Sequence, residues 1–285
     1  MTTQSTHIPL IRSRRILVHI ALSAGAFVML YPLLWLTSSS LKPSNRIFTD
    51  TGLWVSDPQI QNYVDGWNGA ALPFSVFFIN SFVIAGLAVV GNLLACSLVA
   101  YAFARLNFAF KRTLFAMMMV TIMLPLHATL IPQYILFFNL GWVNTILPLV
   151  VPKFLAVDAF FIFLMIQFIR GIPRELDEAA MIDGAGPFRI YWSVILPLMT
   201  PALVTTAVFT FIWTYEDFLS PLVFLTSMEN YTVPQGLRLF QASTGVSAYG
   251  PMFAMSLLSL VPLLVVFLVF QRRLINGIAT TGLRG

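Results

Sequence analysis

A chain of 285 residues that is 58% hydrophobic, only 9% charged and +0.85 in mean hydropathy falls outside the soluble globular class, where about a quarter of residues carry charge. It reads as all-α: a polytopic membrane helix bundle. The net charge of +5 and a pI near 9.6 do not argue for nucleic acid, because the basic residues stand beside apolar segments, where they report topology. Cys96 is the only cysteine, which excludes an intrachain disulfide or a redox pair.

The first apolar stretch, 16–36, follows Arg12, Arg14 and Arg15. At about 20 residues it exceeds the roughly 7–15 of a secretory signal's apolar region, and Thr37-Ser-Ser-Ser-Leu-Lys42 offers no small-x-small cleavage site. A retained anchor is expected. The next stretch, 37–72, carries Asp50, Asp57, Asp65, Trp54 and Trp67 and suits a contact surface or a short amphipathic piece. Further apolar runs follow at 79–103, 113–138 and 147–169, then a polar interruption at 170–198, then runs at 200–225 and 251–270. The stretch 226–249 between the last two holds Tyr231, Gly236, Phe240 and Gly245. Each of the six runs reaches the about 20 residues that cross a hydrocarbon core of about 30 Å. The expected organisation is a cytoplasmic tail at 1–15, a six-span domain at 16–270 and a second cytoplasmic tail at 271–285.

With the N-terminus inside, Arg12, Arg14, Arg15, Arg105, Lys111, Arg112, Arg170, Arg174, Arg189, Arg272, Arg273 and Arg284 share one side, against Lys42, Arg46 and Arg238 on the other. Lys153 is left near the outer end of the fourth span. Twelve against three places both termini in the cytoplasm by the positive-inside rule. Pro32, Pro125, Pro132, Pro148, Pro152, Pro201 and Pro262 fall in or at the edges of spans, where freed carbonyls need neighbouring helices or a water-lined path.

The interruption runs Arg170-Gly-Ile-Pro-Arg-Glu-Leu-Asp-Glu-Ala-Ala-Met-Ile-Asp-Gly-Ala-Gly-Pro187 and closes with Ile195-Leu196-Pro197. It reads as a short helix, a glycine break and a second short helix. Pro173 suits a first turn, Glu175, Asp177 and Glu178 put acid near the positive end of the dipole, and Gly184 supplies the stop. If helical, Leu176, Ala179, Ala180 and Asp183 lie along one side, where two alanines leave room for another surface to dock. The plainer reading is an amphipathic loop lying on the bilayer, but four acids against three bases suit a lipid surface poorly.

Motifs for chemistry are absent: there is no His-Glu-x-x-His, Gly-x-Ser-x-Gly or Gly-x-x-x-x-Gly-Lys pattern, and Gly184-Ala-Gly186 is a fragment of a dinucleotide pattern that follows a helix. Met117-Met118-Met119 suits flexible packing rather than a ligand. Lys153 and Asp158 share a span at a spacing of five, a poor helical pairing; each is a helix-end residue snorkelling to water or pairing with a neighbouring subunit, or else part of an ion relay. Glu216 and Asp217 sit past the middle of the fifth span, where a wet cavity would hold them. His19 lies one turn from Arg15 at an interface, and His127 beside Pro125 reads as a packed histidine. No work-producing group is evident, so another chain must supply the energy.

At Glu178-Ala-Ala-Met-Ile-Asp-Gly-Ala-Gly186, followed by Ile195-Leu-Pro197, the chain resembles the inner-membrane permease subunits of bacterial ATP-binding-cassette importers. Within them it is similar to the sugar-importer branch and its six-span subunit like the second maltose permease. Supporting pieces are Ser40-Leu-Lys-Pro43 with Ile47-Phe48, Ile131-Pro-Gln-Tyr134, Gly141-Trp-Val-Asn-Thr145, Phe211-Ile-Trp-Thr-Tyr-Glu-Asp-Phe218, Gln271-Arg-Arg273 and Gly277-Ile-Ala-Thr-Thr-Gly-Leu-Arg-Gly285. The resemblance implies a heterodimer with a second permease in the lipid bilayer of the inner membrane, two ATPase subunits below and an extracytoplasmic solute-binding protein above. It implies a carbohydrate as the solute, no nucleic acid, no catalysis and no metal or cofactor on this chain, with ATP and Mg held by the ATPases. It also implies that Glu178, Ala179, Ala180, Asp183, Gly184 and Gly186 contact the ATPase through a coupling helix in the loop 170–198. The tail residues Gly282, Leu283, Arg284 and Gly285 are a second ATPase contact, and Glu216 and Asp217 are candidates for the translocation path. Glu216 stands where relatives often have Asn, and the tail reads Thr-Thr-Gly-Leu-Arg-Gly where a Gly-Ala-Val-Lys-Gly-like ending is usual. The alternative is a secondary transporter or channel working without an ATPase, which needs intramembrane ion-coupling groups and usually an internal repeat.

Overall fold

The computed structural model describes the backbone of residues 8–69, 71–241 and 248–282 and, within them, the side chains of all but 8–14, 126 and 273–282. In hydrocarbon each backbone polar group must be satisfied within its own segment, and apolar runs of this length meet that demand as helices. Among the described residues there is no β-strand. The helices are α1 (Ile8–Ser40), α2 (Gln61–Asn68), α3 (Phe74–Arg105), α4 (Lys111–Thr121), α5 (Leu126–Asn139), α6 (Leu147–Phe154), α7 (Ala159–Arg170) and α8 (Glu175–Ile182). They continue as α9 (Pro187–Ile190), a π-turn at Tyr191–Ile195, α10 (Leu196–Leu198), α11 (Thr200–Glu216), α12 (Leu219–Phe224), α13 (Val233–Arg238) and α14 (Tyr249–Gly282).

Among the described residues four helical stretches are long and apolar enough to cross a membrane: Arg15–Ser40, Phe74–Arg105, Leu147–Arg170 and Tyr249–Arg272. A fifth arises if Pro187–Leu198 and Thr200–Glu216, bent by 76°, are taken together. The four coincide with the expected runs at 16–36, 79–103, 147–169 and 251–270, whereas the bent pair shares only 200–216 with the expected run 200–225 and otherwise lies in the interruption 170–198; three of the six expected runs are broken. The third divides into α4 and α5, because Pro125 adopts an extended conformation (φ −67°, ψ 135°) and a proline disfavours helix in the residue before it. The fifth stops at Glu216 and resumes as α12. The fourth leaves the helix between Phe154 and Ala159, with Ala156 in the left-handed region at φ 54°.

The described residues form two compact units. In the first, Met1–Trp67 with Phe240–Leu258, α1 is exposed on all sides from Arg15 to Leu34, an apolar surface for lipid or other chains. The loop after it is tied by Lys42, 2% exposed, whose ammonium donates to the carbonyls of Asp50 (2.6 Å) and Gly52. Asn62 donates to the carbonyls of Ser40 and Lys42, both at 2.9 Å. The Ser40-Leu-Lys-Pro43 motif is therefore a loop knot, and α2 supplies the expected short piece.

In the second unit, Asn68–Leu239 with Ser259–Gly285, α3 is central and packs against α6, α7 and α11. Ser81, Ala85, Ala88, Asn92, Cys96, Ala100 and Ala104 form a buried stripe of small residues that lets neighbouring helices approach closely. At Gly91 an added Cβ would stand 2.7 Å from the Phe154 ring, and at Gly236 it would stand 2.4 Å from the buried Phe77 ring. Asn144, in the Gly141-Trp-Val-Asn-Thr145 motif, accepts from the backbone N–H of Thr226 (3.0 Å) and Ser227 (2.9 Å), closing one loop onto the next. Gly236→Ala is expected to cost about 1–3 kcal/mol through overpacking, while Gly86→Ala, where an added Cβ meets nothing, leaves stability unchanged or slightly raised. Thermal unfolding of the two variants in detergent checks the contrast.

Candidate functional site

The polar interruption folds as two short helical pieces around a glycine stop. α8 begins after Pro173, with Arg174 at its N-cap and Glu175, Asp177 and Glu178 near the positive end of its dipole. At its other end the N–H of Ala185 donates to Ala180 O (2.9 Å) and that of Gly184 to Met181 O (3.0 Å), a Schellman motif, with Gly184 at φ 77°. Gly184 thus has the left-handed conformation that favours glycine, although an added Cβ there would meet nothing. Gly186 (φ −74°) also has open space around it, and nothing within this chain requires a glycine there.

Three residues spaced by four along α3, on one helix face, grip the interruption. Ser97 shares a 2.7 Å hydrogen bond with the Tyr191 hydroxyl. The Tyr101 hydroxyl donates to Pro187 O (3.0 Å), and its ring lies 5.4 Å from that of Tyr191. Arg105 Nε lies 2.7 Å from Asp177 Oδ2, with side chains 5% and 12% exposed, and Arg105 Nη2 donates to Ile172 O at 2.7 Å. The ion pair is a charge contact rather than an aligned hydrogen bond, since Arg105 Nε and Asp177 Oδ1 are enclosed without a hydrogen-bond partner. A cavity of about 140 Å³ opens beside it, lined by Tyr101, Arg105, Arg174, Asp177 and Met181 among others.

The opposite side of α8 is open. Glu175, Leu176, Glu178, Ala179, Ile182 and Asp183 are exposed, Ile182 at 87%. Ala180 differs from the expected docking side: it turns inward and packs on the core with Ala185. The exposed stripe follows Glu175, Glu178, Ala179 and Ile182 instead, and Phe188 and Trp192 extend its apolar surface. Nearby, the Lys111 ammonium is held below the usual lysine range, first by burial and then by repulsion from Arg170 and Arg174.

A second polar cluster lies in the break between α6 and α7. Lys153 Nζ stands 2.8 Å from Asp158 Oδ2, which also accepts from Asn92 Nδ2 at 2.6 Å, and Asn92 reaches Thr210 Oγ1 at 3.1 Å. The expected mismatch of a five-residue spacing is overturned, because it assumed a continuous helix. Lys153 sits at the negative end of α6 and Asp158 at the positive start of α7, so both dipoles favour the pair. Glu216, by contrast, is exposed at the end of α11 with no ion-pair partner among the described residues, and Asp217 Oδ1 accepts from Ser220 N (3.1 Å) at the start of α12. The two are adjacent but do not converge on a third group.

His19 Nδ1 lies 2.8 Å from Arg15 O at the exposed surface. Gly282 ends α14, while Leu283, Arg284, Gly285 and Gly245 lie outside the described residues; His127, expected to be packed, is instead exposed in the first turn of α5. Sequence reasoning missed the Arg105–Asp177 pair, which joins residues 72 positions apart, and the part played by Asn92, whose signal was one amide in an apolar run.

Arg105→Met should destabilise the protein by about 3–5 kcal/mol by leaving Asp177 enclosed and unpaired, and Arg105→Met with Asp177→Leu should recover most of that. Gly184→Asn should lie within about 1 kcal/mol of the parent, and Gly184→Val should lose about 1–2 kcal/mol. Thermal unfolding in detergent measures both pairs.

Residues 91–279 match the family model described as "Binding-protein-dependent transport system inner membrane component". The trehalose/maltose transport system permease protein MalG of Thermococcus litoralis is 32% identical over 95% of this chain and 98% of its own length. The arabinooligosaccharides transport system permease protein AraQ of Halalkalibacterium halodurans is 32% identical over 91% and 93%, and the diacetylchitobiose uptake system permease protein NgcG of Streptomyces coelicolor 28% over 92% and 86%. In fold the chain is similar to a chain of a bacterial ABC transporter involved in the import of the acidic polysaccharide alginate, with a TM-score of 0.81 over 94% of this chain and 99% of that one at 22% identity. The matched region runs from the middle of α3 through the gripped elbow and into α14, and on these matches the chain belongs to the inner-membrane permease components of binding-protein-dependent transport systems.

Proposed function

We propose that this chain is the six-span permease subunit of an ABC importer that moves a sugar or sugar-like solute into the cytoplasm, with α8 as the coupling helix. The observation that carries this reading is the elbow itself. Its inner side is fixed to α3 by an enclosed ion pair and two tyrosine hydrogen bonds, and its outer side presents Glu178, Ala179 and Ile182 uncovered. A surface held so firmly and left so bare suits a partner that pushes on it. On this reading two ATPase subunits dock there and hold ATP and Mg, a second permease completes the bundle, and an extracytoplasmic binding protein delivers the solute. The chain itself catalyses nothing. Both termini are cytoplasmic in a multi-pass bacterial inner-membrane protein, which the concentration of Arg and Lys on one side supports. Closure of the ATPase dimer moves α8 as a rigid body, and the broken spans convert the movement into alternating access. The sugar class is supported by relatives that are permeases of maltose, trehalose, arabino-oligosaccharide and diacetylchitobiose systems.

A carrier without an ATPase is the second reading, favoured by one observation, the mid-span ion pair Lys153–Asp158. Glu178→Lys separates the two. In the importer reading it should cut ATP-dependent uptake at least tenfold and loosen ATPase co-purification, with the permease still inserted in the membrane. Uptake at the parental rate, or uptake without any ATPase, would overturn the importer reading.

A further inference from the structure

Asp158 is the twelfth residue of the 24-residue apolar stretch Leu147–Arg170, placing its ion pair with Lys153 midway along the span. Lys153 and Asp158 are 26% and 24% exposed, and their neighbours on that surface, Phe154, Leu155 and Val157, are exposed apolar groups. Charges at that depth cannot face hydrocarbon without penalty, so water or a polar ligand must meet them. The bonding is also incomplete. Asp158 Oδ2 takes both Lys153 and Asn92, while Oδ1 accepts nothing among the described residues, and only one of the three ammonium N–H groups is engaged. An internally neutral pair with a spare acceptor and spare donors suits hydroxyl groups better than an ion. Thr210, linked to the pair through Asn92, lies one turn from Trp213, a residue 51% exposed whose ring packs against those of Phe160 (5.7 Å), Phe209 (5.6 Å) and Phe161 (5.3 Å), the last one turn beyond Asp158. A half-exposed indole one helical turn from a chain of oriented polar groups is the pairing a carbohydrate subsite needs. The left-handed Ala156 that brings Lys153 and Asp158 together is a strained backbone of the kind retained where a site requires it.

From this arrangement we infer that Lys153, Asp158 and Trp213 form a solute subsite on the translocation path, hydrogen-bonding the hydroxyls of an uncharged saccharide while the indole covers its apolar face. The inference rests on the sugar-importer reading above. It is tested in proteoliposomes holding the full transporter with its binding protein, using labelled maltose, trehalose and arabinotriose as probes. In a Cys96→Ala background, Lys153→Cys should lower ATP-driven uptake at least tenfold with ATP hydrolysis retained. Aminoethyl methanethiosulfonate, which rebuilds an ammonium on that cysteine, should restore more than half of the uptake, and the transported sugar should slow the modification at least threefold. No modification, modification that sugar does not slow, or uptake that follows a pH gradient would overturn the subsite. Should Lys153→Cys fail to assemble, Trp213→Ala at its half-exposed position decides instead: a fivefold or greater loss of uptake with unchanged ATP hydrolysis supports the subsite, and parental uptake overturns it. If the parent complex carries none of the sugars with ATP, the sugar-importer reading itself falls, and the subsite falls with it.

Discussion

The enclosed contact between Arg105 and Asp177 is the constraint on which the cytoplasmic end of the second unit depends. Each ion alone would cost several kcal/mol to hold away from water, so the two must stay together. α8 therefore cannot lift from the end of α3 without uncovering two charges, and the second half of the elbow, α9 and the π-turn, is held to the same face of α3 by the bonds at Tyr101 and Ser97. The grip is spread over two turns of one helix face, which resists tilting as well as separation. A push on the outside of α8 is thus delivered to α3.

α3 is suited to receive it. The small residues that line its buried face bring α6, α7 and α11 close, and close packing transmits displacement instead of absorbing it. Asn92, on that same face, joins α3 to the break in the fourth span and to α11. The elbow and the mid-span polar cluster are therefore connected along a single helix, about three turns apart.

Much of this was legible in the sequence because the signals were local. Apolar run length located the long helices, and the acid-rich start and Gly184 located α8, since dipole and left-handed turn act within a few residues. Pro125 is visible as a proline in the third run, but that run reads as unbroken, and its division into α4 and α5 is not foreseen from the sequence. What escaped depended on distant partners. Asp177 reads locally as a dipole-favouring acid, and only the fold shows that it faces Arg105 while Ala180 turns inward. Lys153 and Asp158 read as mismatched because spacing rules assume an unbroken helix, and no strong breaker lies within the interval 154–158. Glycine requirements divide in the same way: Gly184 was visible from its turn, whereas Gly91 and Gly236 are glycine because a phenylalanine from elsewhere in the chain fills the space.

The π-turn at Tyr191–Ile195 bears on how the elbow joins the span that follows. Leu196 N–H reaches back five residues to Tyr191 O, and Pro197, lacking an N–H, leaves the next rung of the ladder vacant. Immediately beyond, at Met199, the chain turns by 76° into α11. A widened coil followed by a missing rung is a compliant collar between two stiff rods, so α11 can swivel while the elbow keeps its hold on α3. The proline of the Ile195-Leu-Pro197 signature thus sets where the machine flexes, just as Arg105 sets where it does not.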